Sequence, residues 1–291
     1  MAQIRVIRRR IAAVGTIQRI TKTMQMIATA KFTTAVQRAK AAQPYSQKVR
    51  QLVGEVVSAA GDLQHPLVDG PADSPKRELL LVISSDRGFC GAFNANVLRE
   101  ALSHVRALKQ SGLNLDLETS GKKAVGVFNF RRIPIAHKHL FGDKPDYAEI
   151  EHLADRYIAD FSDGKYDAVR VAYMQFITNS RQVPQLVQLL PLKPEATQAT
   201  ETPTADALYD FSPSTEEILD DLLPLTVKTT LYQAFLDASV SEQIMRMIAM
   251  KSATENASDV HKMLKRKYNR ARQAQITTEL MEVISGAAAL E

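Results

Sequence analysis

No carboxylate occurs in the first 54 residues, and no glycine or proline occurs between Leu225 and Ser285. The first absence leaves an N-terminal segment of one charge sign. The second leaves a stretch with nothing to stop a helix. Cysteine is almost missing too: Cys90 is the single one, which excludes an internal disulfide and a multi-cysteine metal site. No run of about 18 apolar residues exists, so a membrane-spanning helix is not expected. Met1-Ala2-Gln3-Ile4-Arg5 enters amphipathic pattern directly, without the apolar block of a signal peptide or a recognisable transit peptide. These absences point to a cytoplasmic address. What is present fits a folded protein: 45% hydrophobic and 24% charged residues over 291 positions, enough for a sizeable core and two structural units.

The acid-free segment carries Arg5, Arg8, Arg9, Arg10, Arg19, Lys22, Lys31, Arg38, Lys40, Lys48 and Arg50 before the first carboxylate at Glu55. Between these charges runs an apolar stripe of Ile4, Ile7, Ile11, Val14, Ile17, Ile20, Met24 and Ile27, with one slipped step between Val14 and Ile17. Threes and fours in alternation are the spacing of a coiled coil, and the slipped step reads as a stammer. Ala35, Ala39 and Ala42 continue the stripe with small residues, and Pro44 is expected to bend the helix. At the other end, Leu231, Phe235, Ala253, Ala257, Val260, Leu264, Ala271, Leu280 and Ile284 form a second stripe. A helix over Leu225–Ser285 would be about 90 Å long, too long to be buried in a domain of this size without a partner. Two readings stand: the core of a helical bundle, or an antiparallel coiled coil of the two ends whose tips project. The uncompensated basic charge of the first helix favours an acidic partner.

Between these segments the period changes. Glu78–Ser85 reads as a buried strand, Leu113–Thr119 and Ala168–Ile177 as two more, and Val183–Leu190 as an edge strand because of Pro184. Helices are expected over Asn94–Lys109, Lys122–Phe130 and Tyr147–Phe161. Alternation of this kind predicts a Rossmann-like α/β domain with a mostly parallel sheet. Lys193–Asp206, rich in Thr, Pro and Ala, reads as a connector. The expected organisation is an N-terminal helix over 1–60, a central α/β domain over 75–192, a connector over 193–212 and a C-terminal helix over 213–291.

The turn Ser84–Asn94 follows a strand and precedes a helix, a common place for nucleotide phosphates. It has no GxGxxG and no Lys-Ser/Thr pair after its glycines. Asp86 and Arg87 are adjacent and able to pair. Cys90 reads as a buried thiol rather than a nucleophile, because no base accompanies it. His137 and His139 form an isolated pair, expected on a loop surface. No catalytic, cofactor-binding or metal-binding residues are assigned.

Ile4–Lys31, Ser85-Asp86-Arg87-Gly88-Phe89-Cys90-Gly91 and Met247–Leu290 together resemble the gamma subunit of F-type ATP synthase, in order and at family distances. The resemblance spans 4–60, 78–130, 165–192 and 208–290. It implies a long antiparallel coiled coil of the terminal helices, the central stalk, with a Rossmann-like α/β domain as its foot. It implies the alpha and beta subunits of the hexameric ring, the epsilon subunit and the c-ring as partners, without nucleic acid. It implies a rotor with no active site and no cofactor, coupling ion-driven rotation to the beta-subunit sites and bearing on ATPase activity and proton flow. Its place would be peripheral, on the cytoplasmic face of a bacterial inner membrane. Carried over residue by residue, the family pattern marks Arg8, Arg9, Arg19, Lys22 and Met24 on the first helix and Arg272, Gln273 and Thr277 on the last as contacts with the ring. Tyr209 falls where the foot faces the c-ring, and Gly286–Leu290 where the tip is held. Thr16 departs from the family's usual Asn, Gly15 adds a flexible point, and Ile244 and Met245 are bulkier than is common. The cysteine-bearing insertion of chloroplast forms is missing. Two other readings remain: nucleic-acid binding by the basic helix, which lacks interleaved aromatics, and a nucleotide-dependent enzyme built on the α/β domain.

Overall fold

The computed structural model describes residues 2–60, 65–70, 77–192 and 215–288. Two helices dominate, α1 (Ala2–Ala60) and α6 (Thr215–Ala288). α6 extends past both ends of the Leu225–Ser285 stretch that lacks glycine and proline. Each helix also runs through a proline, Pro44 in α1 and Pro224 in α6, without interruption. The chain divides into two compact units, one of residues 1–30 with 246–291 and one of residues 31–245.

In the first unit the buried side of α1 departs from the apolar stripe. Ile17, Ile20 and Ile27 are 52%, 54% and 52% exposed. The inward positions are Ile4, Ile7, Ile11, Val14, Gln18, Thr21, Gln25 and Ala28. The alternation of threes and fours therefore continues without the slipped step. What changes is its chemistry, which turns polar after Val14. Geometry fixes which side of a helix faces its neighbour, and the isoleucines one position off that seam stay in solvent. On α6 the inward set is Met250, Thr254, Ala257, His261, Leu264, Tyr268, Ala271 and Gln275. Val260, Leu280 and Ile284, read from sequence as stripe residues, are exposed at 39%, 56% and 54%.

The second unit contains the short helix α2 (Pro66–Asp69), not foreseen from sequence, and a five-stranded sheet in the order β3-β2-β1-β4-β5. Its strands are β1 (Arg77–Ile83), β2 (Asn114–Ser120), β3 (His137–His139), β4 (Ala168–Thr178) and β5 (Arg181–Leu190). The β1–β2, β1–β4 and β2–β3 pairs are parallel, and the β4–β5 pair is antiparallel. β5 lies at the edge, where Pro184 costs no ladder bond that a central strand would need. Helices α3 (Phe93–Gln110), α4 (Lys122–Phe130) and α5 (Tyr147–Ser162) complete the unit. Because Glu78 meets His104 of α3 and Glu118 meets Tyr157 of α5, these two helices cover opposite faces of the sheet. The core is the continuous run Leu79–Ile83 with Val97, Phe128, Ile150, Val169 and Val171. Residues 32–56 of α1 keep the same inward alternation, through Phe32, Ala35, Ala39, Ala42, Ser46, Val49, Val53 and Val56. Ala39 clusters there with Leu236 and Val240 of α6.

Candidate functional site

The turn after β1 is closed by its own chain. Ser84 Oγ donates to Ser120 O at 3.1 Å and accepts from Ala124 N at 2.9 Å. Lys123 N donates to Ser85 O at 3.1 Å, and Lys122 N to Asp86 Oδ1 at 3.1 Å. The first three N–H groups of α4, the donors that an anion would need at this helix terminus, are thus occupied. Gly121, at φ 96°, makes that closure possible: a Cβ there would stand 2.1 Å from Ser84 O. Asp86 serves as a cap, an alternative to the Arg87 pairing considered from sequence. Cys90 is buried and accepts from Asn94 Nδ2 at 3.1 Å, so it is part of the turn's packing. The turn is a joint between β1, β2 and α4.

A second polar cluster was missed from sequence. Glu118 on β2 is 1% exposed, and its Oε2 accepts from Arg156 Nη2 at 2.6 Å, Tyr157 OH at 2.8 Å and His139 Nε2 at 2.8 Å. Burial pushes this carboxyl up, but the three hydrogen bonds, with the Arg156 charge, outweigh it and hold it down at about 2. Tyr157 moves the other way, its hydroxyl pushed up by burial and then by the Glu118 charge. His139 is therefore a strand residue bonded to a buried acid, which corrects the loop-surface reading of the His pair, while His137 beside it is exposed. The signal was available in principle: a Glu inside the expected strand Leu113–Thr119 needs partners once both faces of the sheet are covered. A hollow of about 170 Å³ lies between Arg77, Asp116, Lys165 and Tyr166. It opens at the amino ends of β1 and β2, opposite the carboxyl ends where open α/β sheets take ligands.

The residues marked as partner contacts divide by exposure. Arg8, Arg9, Arg19 and Lys22 are exposed on α1, and Met24 is half-buried. Arg19 Nη2 reaches Thr16 Oγ1 at 3.4 Å, and Lys22 Nζ reaches Gln25 Oε1 at 3.5 Å. Arg272, Gln273 and Thr277 are exposed on α6, with Thr277 Oγ1 donating to Gln273 O at 3.0 Å. Tyr209, the connector and the last residues of the tail lie outside the described residues. Within the first unit, Thr254 Oγ1 of α6 donates to Thr21 Oγ1 of α1 at 2.9 Å, a direct bond between the helices. Beyond Gln275 every described side chain of α6 is exposed, including Ile276, Met281 and Val283.

A family model described as ATP synthase matches residues 3–290. The ATP synthase gamma chain of Rhodopirellula baltica is 41% identical over 100% of both chains. That of Pelotomaculum thermopropionicum is 37% identical, also over 100% of both. Among solved structures, a chain of the Euglena gracilis mitochondrial ATP synthase (OSCP/F1/c-ring) aligns with TM-score 0.66 at 18% identity, covering 99% of this chain and 95% of that one. A chain of the Tetrahymena thermophila mitochondrial ATP synthase central stalk and c-ring aligns with TM-score 0.58 at 22% identity, covering 80% and 99%. These two likenesses show the fold, and the sequence matches run from one end to the other. The chain belongs to the ATP synthase gamma-chain family.

Proposed function

We infer that this chain is the central-stalk rotor of an F1Fo ATP synthase, a non-catalytic subunit that couples rotation to ATP synthesis or hydrolysis on its partners. The observation that carries the inference is the full-length 41% identity to a gamma chain. The turn after β1 supports it from the other side, because Ser84, Ser85 and Asp86 take the first three N–H groups of α4 and tie the turn to the sheet. In this reading α1 and α6 form an antiparallel coiled coil. The unbroken inward alternation on both helices and the Thr21–Thr254 bond support that arrangement. The parts are a stalk of 1–60 and 213–291, a central domain of 75–192 and a foot that includes 193–212.

The partners would be the alpha and beta subunits, the epsilon subunit and the c-ring, with peripheral attachment through the complex on the cytoplasmic face of the inner membrane. No described helix is long and apolar enough to cross a membrane itself. Arg8, Arg9, Arg19 and Lys22 would meet acidic segments of the ring, with Met24 beside them. Arg272, Gln273 and Thr277 would meet it near the end of α6, and Tyr209 would face the c-ring. Exposed charge pairs worth about 0–1 kcal/mol each let a rotor engage the ring and still leave every orientation. Only contacts that differ between beta-subunit states shift their equilibria, so an asymmetric shaft is the required element.

Co-expression with alpha and beta subunits from the same source tests the assignment. One copy per hexamer is expected, with ATPase activity lost when Gln273 onward is deleted together with the α1 contact residues. A folded chain that never enters the ring would refute it. Salt-sensitive DNA binding that outlasts mutation of the apolar seam would revive the nucleic-acid reading.

A further inference from the structure

We propose that Thr21 and Thr254 form a register pin, positioning residues that set the height at which α6 projects past the start of α1. The proposal rests on the antiparallel reading of the two helices. Thr21 is half-buried in a stretch of seam that is otherwise Gln18 and Gln25, where apolar packing alone discriminates poorly between registers. Its hydroxyl lies 3.1 Å from Gln18 O and 2.9 Å from Thr254 Oγ1, and the Thr254 hydroxyl lies 2.8 Å from Met250 O. Two hydroxyl protons serve these three contacts, so when either hydroxyl donates across, the other donates to its own backbone, and one bond crosses between the helices while one returns.

Counting outward in opposite directions from this pair sets Gln18 beside Ala257, Val14 beside His261, Ile11 beside Leu264, Ile7 beside Tyr268 and Ile4 beside Ala271. All ten are buried or half-buried. The same count takes Gln275 to the start of α1, where burial on α6 ends. Counting in the same direction instead sets Gln18 beside Lys251, which is exposed. A slip of one heptad moves Thr254 to Val14 or Ala28 and shifts the helices by about 10 Å. Thr254, opposite Val14 or Ala28, then has only its own helix to bond, while Thr21 faces Met247 in the first slip and His261 in the second. Such a slip carries Arg272, Gln273 and Thr277 away from the height fixed relative to Arg8 and Arg9. A single polar layer of this kind is a known device for choosing one register among several of similar packing.

Disulfide trapping in the full-length chain, in a Cys90→Ser background, reads the register directly. I4C/A271C reports the proposed register, and I11C/A271C reports the one-heptad slip. Trapping of the first pair and little of the second is expected. Thr21→Val and Thr254→Val, which keep size and remove the hydroxyl, should each lower the ratio of first to second about five- to tenfold. Thr21→Ser should restore it to within about twofold. Helix content by circular dichroism should stay unchanged throughout. An unchanged ratio in both valine variants overturns the pin while leaving the coiled coil intact. Failure of I4C/A271C to trap in the parent chain overturns the antiparallel pairing as well. Loss of helix content in the valine variants, without slipped product, makes the pair a stability element and also overturns the pin.

Discussion

Replacing Glu118 by Gln removes the charge that ties β2 to β3 and α5 while leaving the shape of the side chain almost unchanged. Three donors converge on one oxygen of a residue that is 1% exposed, and the carboxyl sits at about 2 against an ordinary 4.5. A folded value below the unfolded one means that the stabilisation is fully present above about pH 4.5 and is lost as pH falls through about 2. That gap corresponds to about 3 kcal/mol, in line with the cost of about 3–5 kcal/mol for removing one partner of a buried charge pair. For a unit of this size it translates to a fall of roughly 6–12 °C in melting temperature. The assay is thermal unfolding of the wild type and of Glu118→Gln, followed by circular dichroism, from pH 7 down to pH 2.5. The two curves should lie far apart at neutral pH and converge as the acid limb is reached. A difference under about 2 °C at pH 7, or one that stays constant down to pH 2.5, would refute the assignment of the charge as the stabilising group.

Asp237 should behave in the opposite sense. Burial raises its carboxyl to about 6, only partly offset by the 2.9 Å hydrogen bond from Gln233 and the Arg50 charge. The folded state therefore holds the extra proton, and stability should fall as pH rises from about 4 through about 6. Asp237→Asn should remove that slope and stabilise the chain by about 1–3 kcal/mol at pH 8, and a steeper slope in urea-unfolding free energy against pH would contradict this. Gly15 sits inside α1, and a Cβ there would meet nothing within 4 Å beyond its own turn of helix backbone. Gly15→Ala should add about 0.5–1 kcal/mol to helix stability, read as a higher melting temperature, and a lower one would show that the position needs its freedom. Reversing Arg9 and Lys22 to Glu should cut ATP-driven ion pumping of the assembled complex severalfold while moving the melting temperature of the isolated chain by less than about 2 °C. A large drop in melting temperature would place those side chains in packing instead, contrary to their exposure.

Sequence pattern revealed most where one local rule acted alone. The run Leu79–Ile83 is fully apolar because β1 is central and covered on both faces, so its identity needed no knowledge of its neighbours. Pro184 marked β5 as an edge for an equally local reason. The α1 seam was misread because hydrophobicity and geometry disagree there. Ile17, Ile20 and Ile27 carry the apolar signal, while Gln18, Thr21 and Gln25 hold the buried side. His139 was misread because its role depends on Glu118, a residue 21 positions away in the chain. Of the residues marked by the family pattern, exposure on α1 was legible from the acid-free charge run, but what those side chains would meet is not encoded in this chain.

The disagreement at the α1 seam fits the work of a shaft. A seam packed from isoleucine throughout would be stronger, yet nothing in it would prefer one heptad over the next, since each slip returns isoleucine to isoleucine. Polar positions surrender some of that strength and make the registers unequal. Ile17, Ile20 and Ile27, displaced from the seam, remain on the outside with Arg8, Arg9, Arg19 and Lys22. An exterior of weak, separable contacts and an interior with one preferred register would be different chemical demands, and exposed cations and half-buried polar residues stand at neighbouring positions of the same helix.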